Sequence, residues 1–354
     1  MSTSHASSSP AASASTTRLP RHRLGTSDLE ITRVGFGSLA MGGAQWVSGR
    51  GEQSDTDSLA AARAAVEAGV NWIDTAPVYG RGLAEELVGQ VLRDFAEPDR
   101  PLVFTKAGLG WDDADPRGEP VRTGDPARIR REVDESLRRL GVERIDLFQM
   151  HWPPLDHYTV ADYWPVFAEL RDAGKVRAIG LSNHTVAELE AAERIAHVDS
   201  MQPPFSALNR TAAADVIPAS LANGTGVIAY APMESGLLTG AFTPERASSL
   251  SATDWRRDSA EHTGEGLLRN LRVVDALTAV AHGRGVSTSA VAVAWTLAFD
   301  GVTGAIVGAR AAEQIADWID AASLELSDAE LTAIGDAIEA SGAGTGPARP
   351  GVHA

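Results

Sequence analysis

The 354-residue chain contains no cysteine, which excludes a disulfide framework, a thiol nucleophile and a thiolate metal site together, and no metal site is expected. Lysine is almost as scarce: two, Lys106 and Lys175, stand against 29 arginines. Arg serves wherever only positive charge matters, so a retained Lys asks whether a compact ammonium that can lose its proton is needed there. Basic charge is short overall, with 47 acidic against 31 basic residues and a net charge of −16. Nucleic-acid and anionic-membrane binders need a surplus of Lys and Arg on one face, so the expected partner is a small molecule. No apolar run reaches membrane-spanning length, and the first eighteen residues lack the hydrophobic centre of a signal peptide. A cytoplasmic protein is expected. A Gly-x-Gly-x-x-Gly turn leading into a helix is also missing, so any dinucleotide must be held in another way.

What is present is a repeat. Between a Ser/Ala/Thr-rich start (residues 1–18) and a Gly/Pro/Ala-rich end (341–354), both expected to be flexible tails, a β-branched run followed by an amphipathic helical pattern recurs. Candidate strands lie at 31–36, 70–74, 102–106, 145–151, 176–182, 198–202, 226–230 and 304–307. Helical patterns at 57–68, 84–95, 126–140, 162–172, 186–195, 212–222 and 313–321 follow most of them. Eight such units predict one α/β domain over 19–340, a (β/α)8 TIM barrel, with an open doubly wound sheet as the alternative. Residues 23–30 carry turn chemistry for an N-terminal β-hairpin, and 287–299 and 327–340 read as extra helices near the C-terminus. Residues 233–265 read as one long functional loop.

Most of the predicted strands end on a polar side chain. Asp74, Lys106, His151, Ser182 with Asn183, Gln202 and Tyr230 close strands two to seven, and Arg310 follows strand eight. In a barrel these ends converge on the C-terminal rim, where active sites of that fold lie. One strand-end Asp is often only a helix cap, and a lone His is commonly a satisfied core residue; seven polar ends around one ring are hard to assign to capping.

The pattern resembles the aldo-keto reductase family from about residue 23 to 340. It is carried by Asp74 with Tyr79, Phe104-Thr105-Lys106, Gln149-Met150-His151-Trp152, Gly180-Leu181-Ser182-Asn183, and Gly308-Ala309-Arg310 with Glu313-Gln314. The resemblance implies carbonyl reduction by hydride transfer from NADPH, with Asp74, Tyr79, Lys106 and His151 as a catalytic tetrad. Negative charge grows on the carbonyl oxygen as hydride arrives, so a proton donor must stand within hydrogen-bond reach. Tyr79 would be that donor. A free phenol has a pKa of ~10, and an ammonium at ~4 Å in a medium of dielectric ~20 contributes roughly 4 kcal/mol, enough to lower it by up to ~3. Lys106 is expected to do this, Asp74 to hold Lys106, and His151 to orient the carbonyl.

The resemblance also implies the cofactor contacts. Ser182, Asn183 and Gln202 match positions that bind the nicotinamide carboxamide, and Tyr230 the aromatic under the ring. Ser235, Gly236 and Leu237 match the pyrophosphate loop; Arg310 and Gln314 face the 2′-phosphate and ribose, and Asp317 the adenine. Trp318 departs from the pattern, standing where the family often has Asn. Trp46, Val78, Trp111, Trp152 and Phe205 are expected to line the substrate pocket. A nucleotide-occupied sensing or interaction protein of the same fold is the alternative to an enzyme; the filled tetrad favours the enzyme.

Overall fold

The computed structural model describes residues 18–43, 53–111, 119–251 and 254–351. Eight short apolar segments pair in parallel into a closed barrel: β1 (Val34–Gly37), β2 (Trp72–Asp74), β3 (Leu102–Ala107), β4 (Ile145–Met150), β5 (Val176–Ser182), β6 (Ser200–Gln202), β7 (Gly226–Tyr230) and β8 (Val302–Gly308). Their spatial order is their chain order, and β8 closes the ring against β1 with Ala305 opposite Val34. The connections hold α1 (Asp55–Glu67), α2 (Leu83–Asp94), α3 (Pro126–Leu140), α4 (Val160–Asp172), α5 (Val186–Glu193) and α6 (Val216–Asn223). Then come α7 (Gly264–Arg284) and α8 (Thr288–Leu297) before β8, and α9 (Asp328–Ser341) after it. The expected barrel is the observed one.

Helix starts follow local chemistry. Asp125 accepts from Ala127 N ahead of Pro126 at the first turn of α3, and Thr185 with Glu188 and Ser327 with Glu330 form capping boxes at α5 and α9.

Alternation along the strands sends side chains to two separate cores. One face packs on the helices, as with Phe148 on Phe167, whose rings lie 5.2 Å apart. The other fills the barrel with Trp72, Phe104, Leu147, Ala178, Ile228 and Ile306. Trp72 fits there because β1 presents Gly35, where a Cβ would lie 2.1 Å from the indole. The predicted hairpin, Arg21–Arg23 against Glu30–Thr32, drives Leu24, Leu29 and Ile31 into the bottom of the same interior. Its apolar plug leaves polar side chains at the opposite, C-terminal rim.

Several expectations change. The 233–265 stretch contains the helical turns Glu234–Thr239, Pro244–Ser248 and Trp255–Asp258, and α7 starts inside it; three glycines (264, 266, 283) masked that helix's pattern. The helix expected at 212–222 starts only at Val216, because Pro218 has no N–H and its ring would clash with the carbonyl four residues back. The 313–321 segment forms two 3₁₀ turns, which bury Ile315, Trp318 and Ala321 at a spacing of three. A short antiparallel pair, Leu109–Gly110 with Val121–Arg122, was not anticipated between β3 and α3. The chain after α9, expected to be a flexible tail, is docked over its described part: Arg210 donates to the carbonyls of Ala343 and Gly346, and Ala343 is buried. Among the described residues, no helix is long and apolar enough to cross a membrane.

Candidate active site

β2 and β3 are neighbours, so Asp74, which ends β2, and Lys106, next to last in β3, meet at the rim. Lys106 places its Nζ 2.6 Å from Oδ1 of Asp74 and 2.9 Å from the carbonyl of Thr75, with no part of its side chain exposed. Burial lowers the Lys106 pKa, while the charge and hydrogen bond of Asp74 act to raise it. A buried charge needs such a partner to stay charged.

After Asp74 the chain turns sharply to deliver Tyr79. Gly80, Arg81 and Gly82 all take positive φ values of 60°, 59° and 93°. A side chain on Gly80 would place a Cβ 2.4 Å from the carbonyl oxygen of Gly42, so the turn is pinned against the β1 loop. The Tyr79 ring centre then lies 5.4 Å from Lys106 Nζ and 5.9 Å, edge-on, from the His151 ring. Asp74, Tyr79, Lys106 and His151 are thus brought together and buried.

The protonation states differ from the sequence expectation in one respect. Tyr79 is pushed up from the ordinary phenol value, first by burial and then by the charge of Asp74. The ammonium of Lys106 sits against Asp74, so the pair offsets much of its own field at the phenol. Tyr79 is therefore a neutral phenol. His151 is driven well below the ordinary imidazole range by burial, then by the charges of Lys106 and Arg122, and is a neutral imidazole. Its Nδ1 is buried with no partner among the described residues.

The remaining strand ends form a second network. Asn183, at φ 64°, donates to the carbonyl of His151 at 3.0 Å and to Ser182 Oγ at 3.0 Å, and accepts from the Tyr230 hydroxyl at 2.8 Å. Ser182 Oγ donates to the Gln202 carbonyl at 2.9 Å. Behind this turn, His184 holds the Ser182 carbonyl through Nδ1 at 2.7 Å, and the Tyr163 hydroxyl meets its Nε2 at 2.8 Å. Gln202, expected on the carboxamide, donates from its Nε2 to Asp74 Oδ2 at 2.9 Å. Asp74 is thereby held at both oxygens.

The expected phosphate loop runs through Glu234, Ser235 and Gly236, all at positive φ (44°, 54° and 94°). Two non-glycine residues are held there in a sparsely populated, strained conformation. Ser206 Oγ donates to Glu234 at 2.7 Å and Arg256 donates to the Ser235 carbonyl at 3.0 Å, while Leu237 is buried beneath. Arg310 is exposed, its Nε donating to Gln53 at 2.9 Å and its amide to Gln314 Oε1 at 2.7 Å. Asp317 is exposed and offers its carbonyl to Ser287. Trp318 is buried in the helix-facing core.

The expected pocket residues separate. Trp46 lies outside the described residues. Phe205 has no exposed surface and packs on Trp295 and Phe299, so it belongs to the core rather than to a pocket. Val78 is likewise buried, at 1% exposure. Trp111 and Trp152 are half-buried, and each carries an arginine over its ring: Arg81 at 3.9 Å and Arg122 at 4.1 Å from the respective ring centres. Neither arginine is marked out by the sequence: the Leu109–Arg122 pairing brings Arg122 to the rim, and the Gly80–Gly82 turn brings Arg81 over Trp111.

A closed eight-stranded parallel barrel with an acid, a phenol, a lysine and a histidine at its C-terminal rim defines a TIM-barrel oxidoreductase. The model of the Aldo/keto reductase family matches residues 38–339, and the chain belongs to that family. It is similar to Aldo-keto reductase YhdN of Bacillus subtilis (strain 168), 34% identical over 289 residues covering 81% of this chain and 84% of that protein. The NADH-specific methylglyoxal reductase of Escherichia coli (strain K12) is 30% identical over 326 residues, 90% of this chain and 98% of its own. The solved structure of the glycerol dehydrogenase AKR11B4 from Gluconobacter oxydans superposes with a TM-score of 0.82 at 34% identity, covering 94% of this chain and 99% of that one.

Proposed function

We infer that this protein reduces a small aldehyde or ketone to the alcohol with NADPH, in the cytoplasm, with Tyr79 as the proton donor. The observation that carries this reading is the buried Lys106–Asp74 pair at 2.6 Å, with the Tyr79 ring 5.4 Å from the ammonium. The nicotinamide supplies the hydride. The protein supplies the proton and the field. A neutral phenol has a proton to give as charge develops on the substrate oxygen, and the ammonium beyond it stabilises the phenolate left behind. A neutral His151 can donate a single N–H to the same oxygen without competing for that proton.

The residues present fit a dinucleotide. The curled Glu234-Ser235-Gly236 backbone suits a pyrophosphate, and the hydroxyl of Ser182 and the amide of Asn183 are groups that a carboxamide could pair with. Both already bond within the protein, so those bonds must be exchanged on binding. Arg310 supports the 2′-phosphate preference, since a local cation is what an extra phosphate demands in a chain of net charge −16. The names of the relatives, a methylglyoxal reductase and a glycerol dehydrogenase, support a small oxygenated substrate.

Steady-state reduction of a panel of aldehydes with NADPH and with NADH tests the reading. NADPH is expected to be preferred, and Arg310→Ala to weaken its binding by roughly 1.5 to 3 kcal/mol while NADH is little affected. Equal losses for both would make Arg310 structural. Failure to reduce any carbonyl with either cofactor would overturn the enzyme reading.

A further inference from the structure

Two arginines at the rim of the site have no carboxylate partner among the described residues. Arg122 is paired in register with Leu109, three residues past Lys106 in sequence, and its carbonyl accepts from Leu155 N, four residues past His151, at 3.3 Å. It is thus clamped between the segments that leave β3 and β4, the strands that deliver Lys106 and His151. Its guanidinium lies over Trp152, the residue after His151, with Cζ 4.1 Å from the ring centre. Arg81, two residues after Tyr79, lies in the same way over Trp111 at 3.9 Å. Among the described residues, no carboxylate pairs with either guanidinium. Most other arginines whose side-chain contacts can be named, such as Arg63, Arg139, Arg177 and Arg284, do pair with acids. In a chain with 47 acidic residues, two guanidiniums that pair with no described carboxylate stand beside the catalytic groups.

The geometry points to Arg122 as a specificity-determining residue that favours carbonyl substrates carrying an anionic group, with Arg81 as a second cation on the same rim. This rests on the reading that the carbonyl oxygen sits at Tyr79 and His151. Stacking on an indole keeps the guanidinium plane fixed and leaves its edge free for a bidentate contact with a carboxylate or phosphate. Arg122 is the stronger candidate because it is half-buried, where its charge is screened less than that of the exposed Arg81. Its field reaches the reacting groups: it helps to keep His151 unprotonated and to draw Tyr230 down against burial.

The test compares kcat/KM for 4-oxobutanoate and its uncharged methyl ester, and for glycolaldehyde phosphate and glycolaldehyde, at low and high salt. The wild-type protein is expected to prefer the anion in at least one pair, the larger preference showing whether carboxylate or phosphate is the natural group. In Arg122→Gln that anion-to-neutral ratio should fall by roughly ten- to a hundredfold, as for loss of a charge-assisted contact, and Arg122→Lys should keep part of it. Salt should shrink the wild-type ratio. An equal ratio in wild type and Arg122→Gln, or a preference for the neutral partner, overturns the proposal while leaving the reductase reading intact. Calorimetric binding of 4-oxobutanoate and of glycolaldehyde phosphate to the wild-type protein and to Arg122→Gln separates the two. Binding of either that is lost in the variant supports the anion site even if no carbonyl is reduced, and binding of neither to the wild type overturns it.

Discussion

Gln202 donates from Nε2 to Oδ2 of Asp74 at 2.9 Å, on the oxygen opposite the one that Lys106 occupies. The amide therefore fixes the acid that fixes the lysine. Gln202→Leu keeps much of the volume and removes that bond from a buried carboxylate. It should destabilise the fold by roughly 1.5 to 3 kcal/mol and lower kcat several-fold as Lys106 loses its fixed position. Chemical denaturation and single-turnover rates check both; an unchanged kcat would mean that the Asp74–Lys106 pair holds itself.

Tyr79→Phe removes only the hydroxyl of a side chain already packed in the site. Because that group acts as charge develops on the substrate, turnover should fall by about 10² to 10⁴ while cofactor affinity, read by tryptophan fluorescence, stays nearly constant. Near-normal turnover would remove Tyr79 from the chemistry.

The two lysines separate by environment. Lys175 is part-exposed and pairs with Asp134, so Lys175→Arg should be silent. Lys106 is enclosed, with its Nζ between Asp74 and the Thr75 carbonyl, and a larger forked cation cannot occupy that space without moving Tyr79. Lys106→Arg should fold normally by circular dichroism yet lose at least roughly a hundredfold in aldehyde reduction. A folded variant with normal turnover would show that charge alone suffices.

Three histidines inside the fold, His151, His184 and His262, have pKa values lowered from the ordinary 6.5, in each case mainly by burial. The unfolded chain then binds more protons than the folded one below pH 6.5. Stability should be at its plateau above that pH and fall as the pH drops toward the folded-state values, by up to ~1.4 kcal/mol per pH unit for each fully neutral histidine. The buried acids Asp146, Asp199 and Glu234 have raised pKa values and act in the opposite sense, but their ordinary values are 3.8, 3.8 and 4.5. The histidine slope is therefore best read between about pH 6.5 and 5.5 in denaturant midpoints. A flat profile there would show that these rings titrate freely in the folded protein.

The barrel and its polar rim were legible in the sequence because both rest on local rules. Period-two and period-3.6 hydrophobicity name strands and helices, and a polar residue ending one strand after another is visible without coordinates. Asp74, Lys106 and His151 needed only their places at strand ends to be brought together, and Tyr79 the turn that follows Asp74. What lay beyond those rules was partnership. Gln202 could be placed on the rim but not on Asp74, because β6 lies across the ring from β2 and only closure of the barrel brings their ends within reach of each other. Phe205 reads as a pocket residue, yet it is drawn into the core by apolar contacts with Trp295 and Phe299 made far along the chain. The direction of the Tyr79 shift was decided in the same way, since burial and the neutralising grip of Asp74 on Lys106 exist only once the chain is closed. Arg122 shows the limit most clearly: nothing in its local sequence sets it apart from 28 other arginines, and only the pairing of Leu109 with Arg122 and the stack on Trp152 bring it to the site.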